Sequence, residues 1–298
     1  MTRVLVTGGA GFIGHHVVAA LTVSGADVAV LDNLRRGSFE RPGLERARLI
    51  RGDIRDGAAV AAALRGCDVV VHLAAQSNVL GSSSDPGYAF TTNVGGTWEV
   101  AEAARAAGVS HLIFASSREV YGECPPGPVH EDSPLGARNL YGSTKIAGES
   151  MLRATLPGAP AVSVVRLANV VGTGDSGRVV PLWLTAALAD EPLVLYGGTQ
   201  VLDFVPVETV VAAVIRLVLG GPVPVPVNVG SGQPVSLREL ASRVLEATGS
   251  SSPTEVRPAR AEEVTRFVAD TGRMERLLAL DPPRDPLSVL GFIAESLR

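Results

Sequence analysis

The stretch Thr7-Gly8-Gly9-Ala10-Gly11-Phe12-Ile13-Gly14 follows a short apolar segment, Arg3–Thr7. Its spaced glycines allow a tight turn, close approach of the backbone to a diphosphate, and close packing of the next helix on the strand. The N-terminus of that helix offers free N–H groups and a partial positive charge to phosphates. We therefore predict a strand, a dinucleotide-binding loop and a helix, and the predicted cofactor contacts are Gly8, Gly11, Phe12, Ile13 and Gly14.

An acidic residue ends the second predicted strand. That strand, Asp27–Leu31, leads into Asp32, which lies 18 positions beyond Gly14. A carboxylate at this point accepts hydrogen bonds from the 2′-hydroxyl of an adenine ribose and repels a 2′-phosphate. The sequence therefore favours NAD over NADP, although Arg35 and Arg36 keep NADP as an alternative.

Short apolar runs alternate with alanine-rich helical patterns along the first half of the chain. The runs predicted as strands are Arg3–Thr7, Asp27–Leu31, Arg48–Arg51, Val69–Leu73, His111–Ala115 and Val162–Leu167. The patterns predicted as helices are Gly11–Ser24, Gly57–Leu64, Tyr88–Ala107 and about Leu140–Leu156. This alternation predicts an α/β fold of the Rossmann type, a doubly wound parallel sheet with helices on both faces.

The ends of the predicted strands supply further cofactor candidates, because ligands bind at the carboxyl ends of parallel strands. Asn33 directly follows Asp32, and we assign it to the cofactor site. Asp53 and Ile54 follow the third strand, and we expect them to face the adenine.

The second half of the chain has a different texture. After about residue 168, glycine and proline become frequent, as in Gly197-Gly198 and Pro282-Pro283. This pattern predicts a smaller α/β substrate-binding lobe beside the Rossmann domain. We predict that the Rossmann domain comprises residues 1–167 with about 203–220, and the lobe about 168–202 with 221–298.

The composition excludes several classes of protein. The 298 residues include 26 basic and 30 acidic side chains, and the net charge of −4 argues against a broadly basic nucleic-acid binder. The two cysteines, Cys67 and Cys124, have no metal-ligand spacing, so we expect no metal site. No apolar run approaches the ~18–20 residues of a membrane span, and no signal peptide is evident. We therefore expect a cytoplasmic protein without membrane or nucleic-acid partners.

A tyrosine and a lysine are placed for acid–base chemistry. Tyr141 and Lys145 stand at i and i+4, so on a helix they project from one face. A nearby ammonium favours the phenolate and would lower the tyrosine pKa. Ser116 and Ser117 end the fifth predicted strand, where a hydroxyl could bind a substrate oxygen beside the tyrosine.

Taken together, these motifs resemble the extended short-chain dehydrogenase/reductase family. The motifs, in chain order, are the loop ending at Gly14, Asp32, His72-Leu73-Ala74-Ala75-Gln76, Ser116-Ser117-Arg118-Glu119-Val120-Tyr121-Gly122 and Tyr141-Gly142-Ser143-Thr144-Lys145. Within that family the chain looks like the NAD-dependent nucleotide-sugar epimerases and dehydratases. The resemblance covers nearly the whole chain.

The resemblance implies roles for individual residues. Tyr141 would be the acid/base, Lys145 would lower its pKa and hold the nicotinamide ribose, and Ser117 would bind the sugar 4-hydroxyl. Further cofactor residues implied by the motifs are Leu73, Ala74, Ala75, Gln76 and Asn93, the last supporting the active-site helix. The residues implied for the nucleotide-sugar substrate are Ser117, Arg118, Asn169, Arg178, Val179, Tyr196, Gln200, Arg260 and Glu263.

Residues 117–119 bear on the choice of reaction. Dehydratases of this branch usually show a hydroxyl residue, Asp and Glu, whereas this chain has Ser117, Arg118 and Glu119. The missing Asp disfavours 4,6-dehydration, while Glu119, a candidate catalytic residue, keeps a UDP-glucuronate decarboxylase as an alternative. A structural partnership of Glu119 with Arg118 or a backbone amide is the competing interpretation.

The resemblance therefore implies an isomerase, a 4-epimerase that oxidises a UDP-sugar at C4 and reduces the 4-keto sugar from its other face. The pairs UDP-glucose/UDP-galactose and UDP-glucuronate/UDP-galacturonate both stay open. A cationic residue near C6 would indicate a uronic acid, and Arg118 and Arg178 are the candidates. By analogy the chain would form a homodimer through the helices predicted at Tyr88–Ala107 and Leu140–Leu156.

Overall fold

A seven-stranded parallel sheet forms the centre of the molecule. The structure, a computed structural model, describes residues 1–156, 158, 160–260 and 263–298. The first six strands are β1 (Arg3–Thr7), β2 (Asp27–Asp32), β3 (Arg48–Arg51), β4 (Val69–His72), β5 (His111–Ser117) and β6 (Ala161–Leu167). With β11 (Val227–Val229) they follow the order β11-β6-β5-β4-β1-β2-β3. The order reverses between β1 and β4, which opens a ligand crevice at the carboxyl ends of the strands.

Helices cover both faces of this sheet. They are α1 (Phe12–Val23), α2 (Gly57–Ala63), α3 (Val79–Ser84), α4 (Pro86–Phe90), α5 (Thr97–Ala106), α6 (Leu140–Thr155) and α8 (Val207–Gly220). One face packs on α1 and α8, and the other packs on α2, α5 and α6. The strands β1 and β4 are buried on both sides, which explains their continuous runs of valine and leucine. The prediction of a Rossmann-type α/β fold is confirmed.

The second half of the chain adds smaller elements, several of which form a second hydrophobic cluster. They are β7 (Asn169–Val171), α7 (Val179–Leu188), β8 (Leu193–Tyr196), β9 (Val201–Leu202), β10 (Phe204–Pro206), β12 (Val235–Ser236), α9 (Leu237–Thr248), β13 (Thr254–Arg257), β14 (Arg266–Phe267), α10 (Gly272–Leu278) and α11 (Leu290–Ser296). This second core packs α7, α9 and α11 together around Trp183, Leu240 and Ile293. The division into two domains stays a prediction.

The structure departs from the predicted elements at two places. The edge strand Val227–Val229 pairs in parallel with Val165–Leu167 and so belongs to the main sheet, although the predicted lobe included it. The long helix predicted at Tyr88–Ala107 is divided, because residues Thr91–Gly96 form a π-helical segment between α4 and α5. That segment places Asn93 in the interior, where it bonds to Gln76 and Thr144.

A buried ion pair ties α6 to the sheet. The guanidinium of Arg166 on β6 donates to both carboxylate oxygens of Glu149 on α6, at 3.0 and 2.7 Å. The hydroxyl of Ser116 donates to the same carboxylate at 2.5 Å, and Arg166 also donates to Tyr121 Oη. Both charged side chains are almost fully buried, so either partner alone would leave an uncompensated charge in the interior.

Replacing Arg166 with methionine should lower the free energy of unfolding by about 3–5 kcal/mol, because Glu149 would remain buried and unpaired. The matched control is Arg243→Met, which breaks the more exposed 2.7 Å pair with Asp285 and should cost less than about 1 kcal/mol. Urea denaturation followed by circular dichroism measures both. Equal losses in the two variants would contradict the assignment of Arg166 as a structural anchor.

Candidate active site

A cleft of about 500 Å³ runs across the carboxyl ends of the sheet and under the second hydrophobic cluster. Its described lining includes seven basic side chains and four carboxylates, although the whole chain carries a net charge of −4. The cleft therefore has a cationic balance, which suits ligands that carry diphosphates. Of the predicted site residues, all line this cleft except Asp53 and Asn93.

The glycine loop is shaped by close contacts that only glycine permits. Gly8 has a φ of +71°, and a Cβ there would lie 2.7 Å from the backbone nitrogen of Ala74. A Cβ on Gly14 would lie 2.2 Å from the carbonyl oxygen of Gly8. The loop thus brings backbone, without side chains, to the start of α1, and this cradle fits the diphosphate of a dinucleotide.

Asp32 is fixed beside this loop by two backbone amides. Its carboxylate accepts hydrogen bonds from the N–H groups of Ala10 and Leu34, at 3.0 and 2.8 Å. Burial raises the pKa of Asp32, and these two bonds oppose that shift. The carboxylate lines the cleft where the sequence places the adenine ribose.

Arg35 and Arg36, which kept NADP as an alternative, are engaged elsewhere. The Arg35 guanidinium lies 3.7 Å from the centre of the Tyr88 ring and pairs with Asp85. Arg36 donates to the carbonyl oxygen of Ser176 at 3.3 Å. Both arginines therefore have partners other than a 2′-phosphate, which agrees with the preference for NAD.

Asp53 does not line the cleft, contrary to the prediction. Its carboxylate is occupied by the Arg55 guanidinium, at 2.9 and 2.8 Å, and by Asn33 Nδ2, at 2.9 Å. The bond from Arg55 holds the pKa of Asp53 at about 2. Ile54 and Asn33 do line the cleft, so the apolar side chain and the amide, rather than the acid, reach the cofactor site.

Asn93 acts behind the cleft wall. Its Oδ1 accepts from the N–H of Gln76 at 2.7 Å, and its Nδ2 donates to Gln76 O and Thr144 Oγ1. Both polar atoms of the Asn93 side chain are thereby used to join the Leu73–Gln76 loop to α6. It positions cofactor-site residues and does not line the cleft.

A buried histidine continues this support. The Nδ1 of His72 hydrogen-bonds Thr7 Oγ1 at 2.7 Å, and its Nε2 hydrogen-bonds Thr97 Oγ1 at 3.0 Å. Thr97 donates in turn to the carbonyl oxygen of Asn93. Burial, followed by the charge of Lys145, lowers the pKa of His72 to about 3, so the imidazole is neutral.

The predicted catalytic residues meet in the middle of the cleft. Asn139 caps α6 by accepting from the N–H of Gly142 at 2.9 Å, which fixes the first turn that carries Tyr141. The side chains of Tyr141 and Ser117 line the same cleft, and Ser117 opposes the rise in the pKa of Tyr141 that burial causes. Lys145 Nζ lies 5.8 Å from the centre of the Tyr141 ring and donates to the carbonyl oxygen of Ala115 at 2.7 Å.

The electrostatics of this group differ from the expectation that Lys145 lowers the tyrosine pKa. Burial raises the pKa of Tyr141 to about 12. The positive charge of Arg178, the side chain of Ser117 and the positive charge of Arg118 each oppose this rise. Burial also lowers the pKa of Lys145 to about 8, and its ammonium is directed at Ala115. In this arrangement two arginines and a serine favour the phenolate.

Glu119 is held by structural partners. Its Oε1 lies 2.8 Å from Arg118 Nη2, and its Oε2 accepts from Asn139 Nδ2 at 2.8 Å. Arg118 Nε also donates to Asn169 Oδ1 at 3.2 Å. Both carboxylate oxygens are thus engaged, as the competing interpretation of this residue expected.

Another part of the cleft combines aromatic and charged groups. The Arg260 guanidinium lies 3.7 Å from the centre of the Tyr196 ring and donates to Glu263 at 3.1 Å. Gln200 Nε2 donates to the carbonyl oxygen of Tyr196 at 2.6 Å. Arg178 at the start of α7, followed by Val179, pairs with Asp175 at 3.6 Å. The structure thus brings these predicted substrate residues to one cleft.

A set of hydrogen bonds between two distant parts of the chain, which we call the clasp, was not predicted from the sequence. His16 Nε2 hydrogen-bonds the carbonyl oxygen of Thr173, and Arg41 Nη1 donates to that of Gly174 at 2.8 Å. With Arg36 and Ser176 these contacts fasten loop 173–176, part of which lines the cleft, to the Rossmann half. The glycines at 172, 174 and 177 were the available signal, but nothing local identifies their distant partners.

Comparison with known proteins agrees with this geometry. Residues 4–230 match the model of the NAD-dependent epimerase/dehydratase family. The chain belongs to this family. It is 34% identical to a UDP-glucose 4-epimerase of Streptomyces lividans, over 97% of this chain and 94% of that protein.

Solved structures of the family superpose closely. MoeE5 in complex with UDP-glucuronic acid and NAD is 31% identical, with a TM-score of 0.91 and 99% of both chains covered. DesIV, a dTDP-glucose 4,6-dehydratase from Streptomyces venezuelae with NAD bound, is 32% identical, with a TM-score of 0.93 over 100% of this chain and 97% of that one. The predictions of the family, of an enzyme of its epimerase class and of NAD as cofactor are confirmed.

The described residues, 1–156, 158, 160–260 and 263–298, contain neither a metal-binding cluster nor a membrane-crossing helix. Within these ranges, no group of three or more His, Cys, Asp and Glu side chains is arranged to hold a metal ion. Among the described helices, none combines the length and the apolar character that crossing a bilayer requires.

The neutral state of His72 predicts a pH dependence of stability. Between pH 6.5 and about 3 the unfolded chain binds a proton at this residue that the folded chain does not. The free energy of unfolding should therefore fall with falling pH, by at most about 1.4 kcal/mol per pH unit from this residue. Urea denaturation of His72→Gln should show a shallower slope below pH 6 and an unchanged slope above pH 7. An unaltered slope below pH 6 would rule out a neutral buried imidazole.

Proposed function

We propose that the chain is an NAD-dependent 4-epimerase of a UDP-hexose or UDP-hexuronate, the pairs being UDP-glucose/UDP-galactose and UDP-glucuronate/UDP-galacturonate. The meeting of Tyr141, Ser117 and Lys145 in one cleft carries this proposal. It places an acid/base and an orienting hydroxyl in a cleft that also contains the glycine loop and Asp32. The UDP-glucose 4-epimerase of S. lividans and MoeE5 support the reaction and the substrate class.

The residues that line the cleft divide the binding work between two groups. The glycine loop, Asp32 and the Leu73–Gln76 loop would hold NAD, which supplies the acceptor and donor for the C4 hydride. The UDP-sugar would lie against a second group of lining residues, namely Asn169, Arg178, Val179, Tyr196, Gln200, Arg260 and Glu263. The sugar would then lie next to Tyr141.

Tyr141 would move the proton at the 4-hydroxyl. Its phenolate oxygen takes this proton as C4 is oxidised, and its phenol returns the proton when the 4-keto sugar is reduced from the other face. Ser117, which lines the same cleft, would hydrogen-bond the 4-hydroxyl and orient it toward Tyr141. Because burial raises the pKa of Tyr141 to about 12, the positive charges of Arg178 and Arg118 matter for forming the base. Lys145 holds the nicotinamide ribose.

The lyase alternatives depend on a carboxylate that this geometry restrains. An elimination or a decarboxylation assisted by Glu119 would need a free carboxylate oxygen in the cleft. Arg118 occupies Oε1 and Asn139 occupies Oε2, each at 2.8 Å. Breaking either bond would leave a buried polar group unpaired, which costs about 1–3 kcal/mol or more. The structural likeness to DesIV is therefore not accompanied by a free acid at this position.

Tyr141→Phe should lower kcat by about 10²–10⁴-fold, because the variant lacks the group that moves the 4-hydroxyl proton. Proton NMR of the purified protein, incubated with UDP-glucuronate and in a parallel tube with UDP-glucose, measures the new galacto-configured anomeric signal.

The control for this variant is its NAD content after purification, which should match that of the unchanged protein. Full activity of Tyr141→Phe would refute the acid/base role. Formation of UDP-xylose or of a 4-keto pentose by the unchanged protein would establish the decarboxylase instead.

We also propose a homodimer that uses the surface of α4, α5 and α6. Two large apolar side chains, Phe90 and Trp98, are 57% and 41% exposed there, beside the partly buried Met151. Exposed aromatic clusters of this kind mark interaction sites in soluble proteins. A second copy of the chain, packing helix against helix, would cover them.

Trp98→Glu should convert the dimer to a monomer, because a buried unpaired carboxylate opposes association. Light scattering after size exclusion measures the change from twice 30.8 kDa to 30.8 kDa. The matched control is Phe292→Glu on α11, a 67% exposed residue outside this surface, which should leave the mass unchanged. A monomeric unchanged protein would overturn the proposal.

A further inference from the structure

Arg118 has one nitrogen left without a partner. Its Nη2 lies 2.8 Å from Glu119 Oε1, and its Nε donates to Asn169 Oδ1 at 3.2 Å. Its Nη1 is buried and has no hydrogen-bond partner in the part of the chain that the structure describes, and the side chain is 11% exposed. A guanidinium presents its donors in a fixed fork, so the third nitrogen has a defined direction once the other two are bound.

The neighbours of Arg118 cannot turn to serve this nitrogen. Asn169 Nδ2 is fixed on the carbonyl oxygen of Asp203 at 2.8 Å, which leaves its oxygen on Arg118 Nε. Glu119 Oε2 is fixed on Asn139 Nδ2. A buried donor of a charged group without an acceptor costs free energy, so an acceptor from outside the protein is the natural partner. Arg118 lines the cleft from which such an acceptor would come.

The position of Arg118 specifies which part of a substrate it meets. It directly follows Ser117, which lines the cleft together with Tyr141. If Ser117 and Tyr141 take the 4-hydroxyl, Arg118 faces a group next to C4 of the sugar. The UDP group would be held by other residues, Tyr196 and Arg260, so the acceptor belongs to the sugar ring.

We propose that Arg118 Nη1 binds a carboxylate at C6, so that the substrate pair is UDP-glucuronate and UDP-galacturonate. This inference rests on the proposed function, because it uses the placement of C4 beside Tyr141. A carboxylate makes a charge-assisted bond with a guanidinium, roughly twice as strong as the neutral bond that a hydroxymethyl group would make. MoeE5, which is similar over 99% of the chain, was solved with UDP-glucuronic acid and also with UDP-glucose, so its ligands support the substrate class while the preference rests on Arg118.

Glu119 does not exclude a second carboxylate here. Its charge is compensated by Arg118 and by the amide of Asn139, and the guanidinium has donors for acceptors on two sides. Lys145 and Arg178 also line the cleft, and both are positive. An anionic C6 group would thus enter a region where positive charge is in excess.

Binding to the Tyr141→Phe protein with its NAD retained tests this inference without turnover. Isothermal titration with UDP-glucuronate and with UDP-glucose gives the ratio of their dissociation constants. UDP-glucuronate should bind at least about tenfold more tightly, since a charge-assisted bond replaces a neutral one. Equal affinities, tighter binding of UDP-glucose, or no binding of UDP-glucuronate would overturn the inference.

Two further variants, each combined with Tyr141→Phe, assign the preference to Arg118. Arg118→Met with Glu119→Gln removes both charges of the pair together, so no unpaired carboxylate remains, and should reduce the affinity ratio to within about twofold. Arg118→Lys keeps the charge but loses the fork, and should retain only part of the ratio. A ratio unchanged in both variants would show that another group binds the carboxylate.

Turnover by the unchanged enzyme separates this inference from the proposed function. Selective binding of UDP-glucuronate without formation of its 4-epimer would remove the epimerase proposal and keep the carboxylate site. Epimerisation of UDP-glucose together with equal binding of both sugars would keep the epimerase and remove the carboxylate site.

Discussion

The buried ion pair between Arg166 and Glu149 fixes α6 against the central sheet, and the active site depends on that placement. It joins α6 to β6, and Ser116 attaches the same carboxylate to β5. Ser116 precedes Ser117, and Glu149 lies one helical turn beyond Lys145. A single buried contact therefore fixes the strand end that carries the serine relative to the helix that carries the tyrosine and lysine. Tyr141 and Ser117 can meet because their supports cannot slide apart.

The charges around the site are arranged to bind anions within an acidic protein. Seven basic side chains and four carboxylates line the described cleft, whereas the chain as a whole is negative. Several of the arginines are bound to protein groups, among them Arg35 to Asp85 and Arg36 to Ser176. Arg118 differs because one of its nitrogens is buried and, among the described residues, has no partner. The excess of positive charge in the cleft favours anionic ligands in general. The unpaired donor of Arg118 can distinguish one such ligand from another.

The sequence predicted features that depend on local spacing. The glycine loop, Asp32 and the tyrosine–lysine pair each follow from residues within one strand–helix unit, and the structure brings them to one cleft. The sequence could not predict that the Arg55 guanidinium would bind the Asp53 carboxylate. An aspartate at a strand end has the same sequence signature whether it faces a ligand or a neighbouring side chain. The place of strand Val227–Val229 in the main sheet was also not predicted, since its pairing partner lies some 60 residues earlier. The contacts of Arg118 depend on Asn169, which only the fold brings close.

The clasp formed by His16, Arg36 and Arg41 bears on how the enzyme keeps its oxidant. Each of these side chains bonds to a backbone carbonyl in loop 173–176, which lies more than 130 positions away along the chain. A dinucleotide that leaves on this side has to open the loop and break all three bonds. An enzyme that returns its hydride within the same cycle has no use for such an exit. Under the proposed epimerase reaction, this fastened loop would restrict exchange of the dinucleotide between one catalytic cycle and the next.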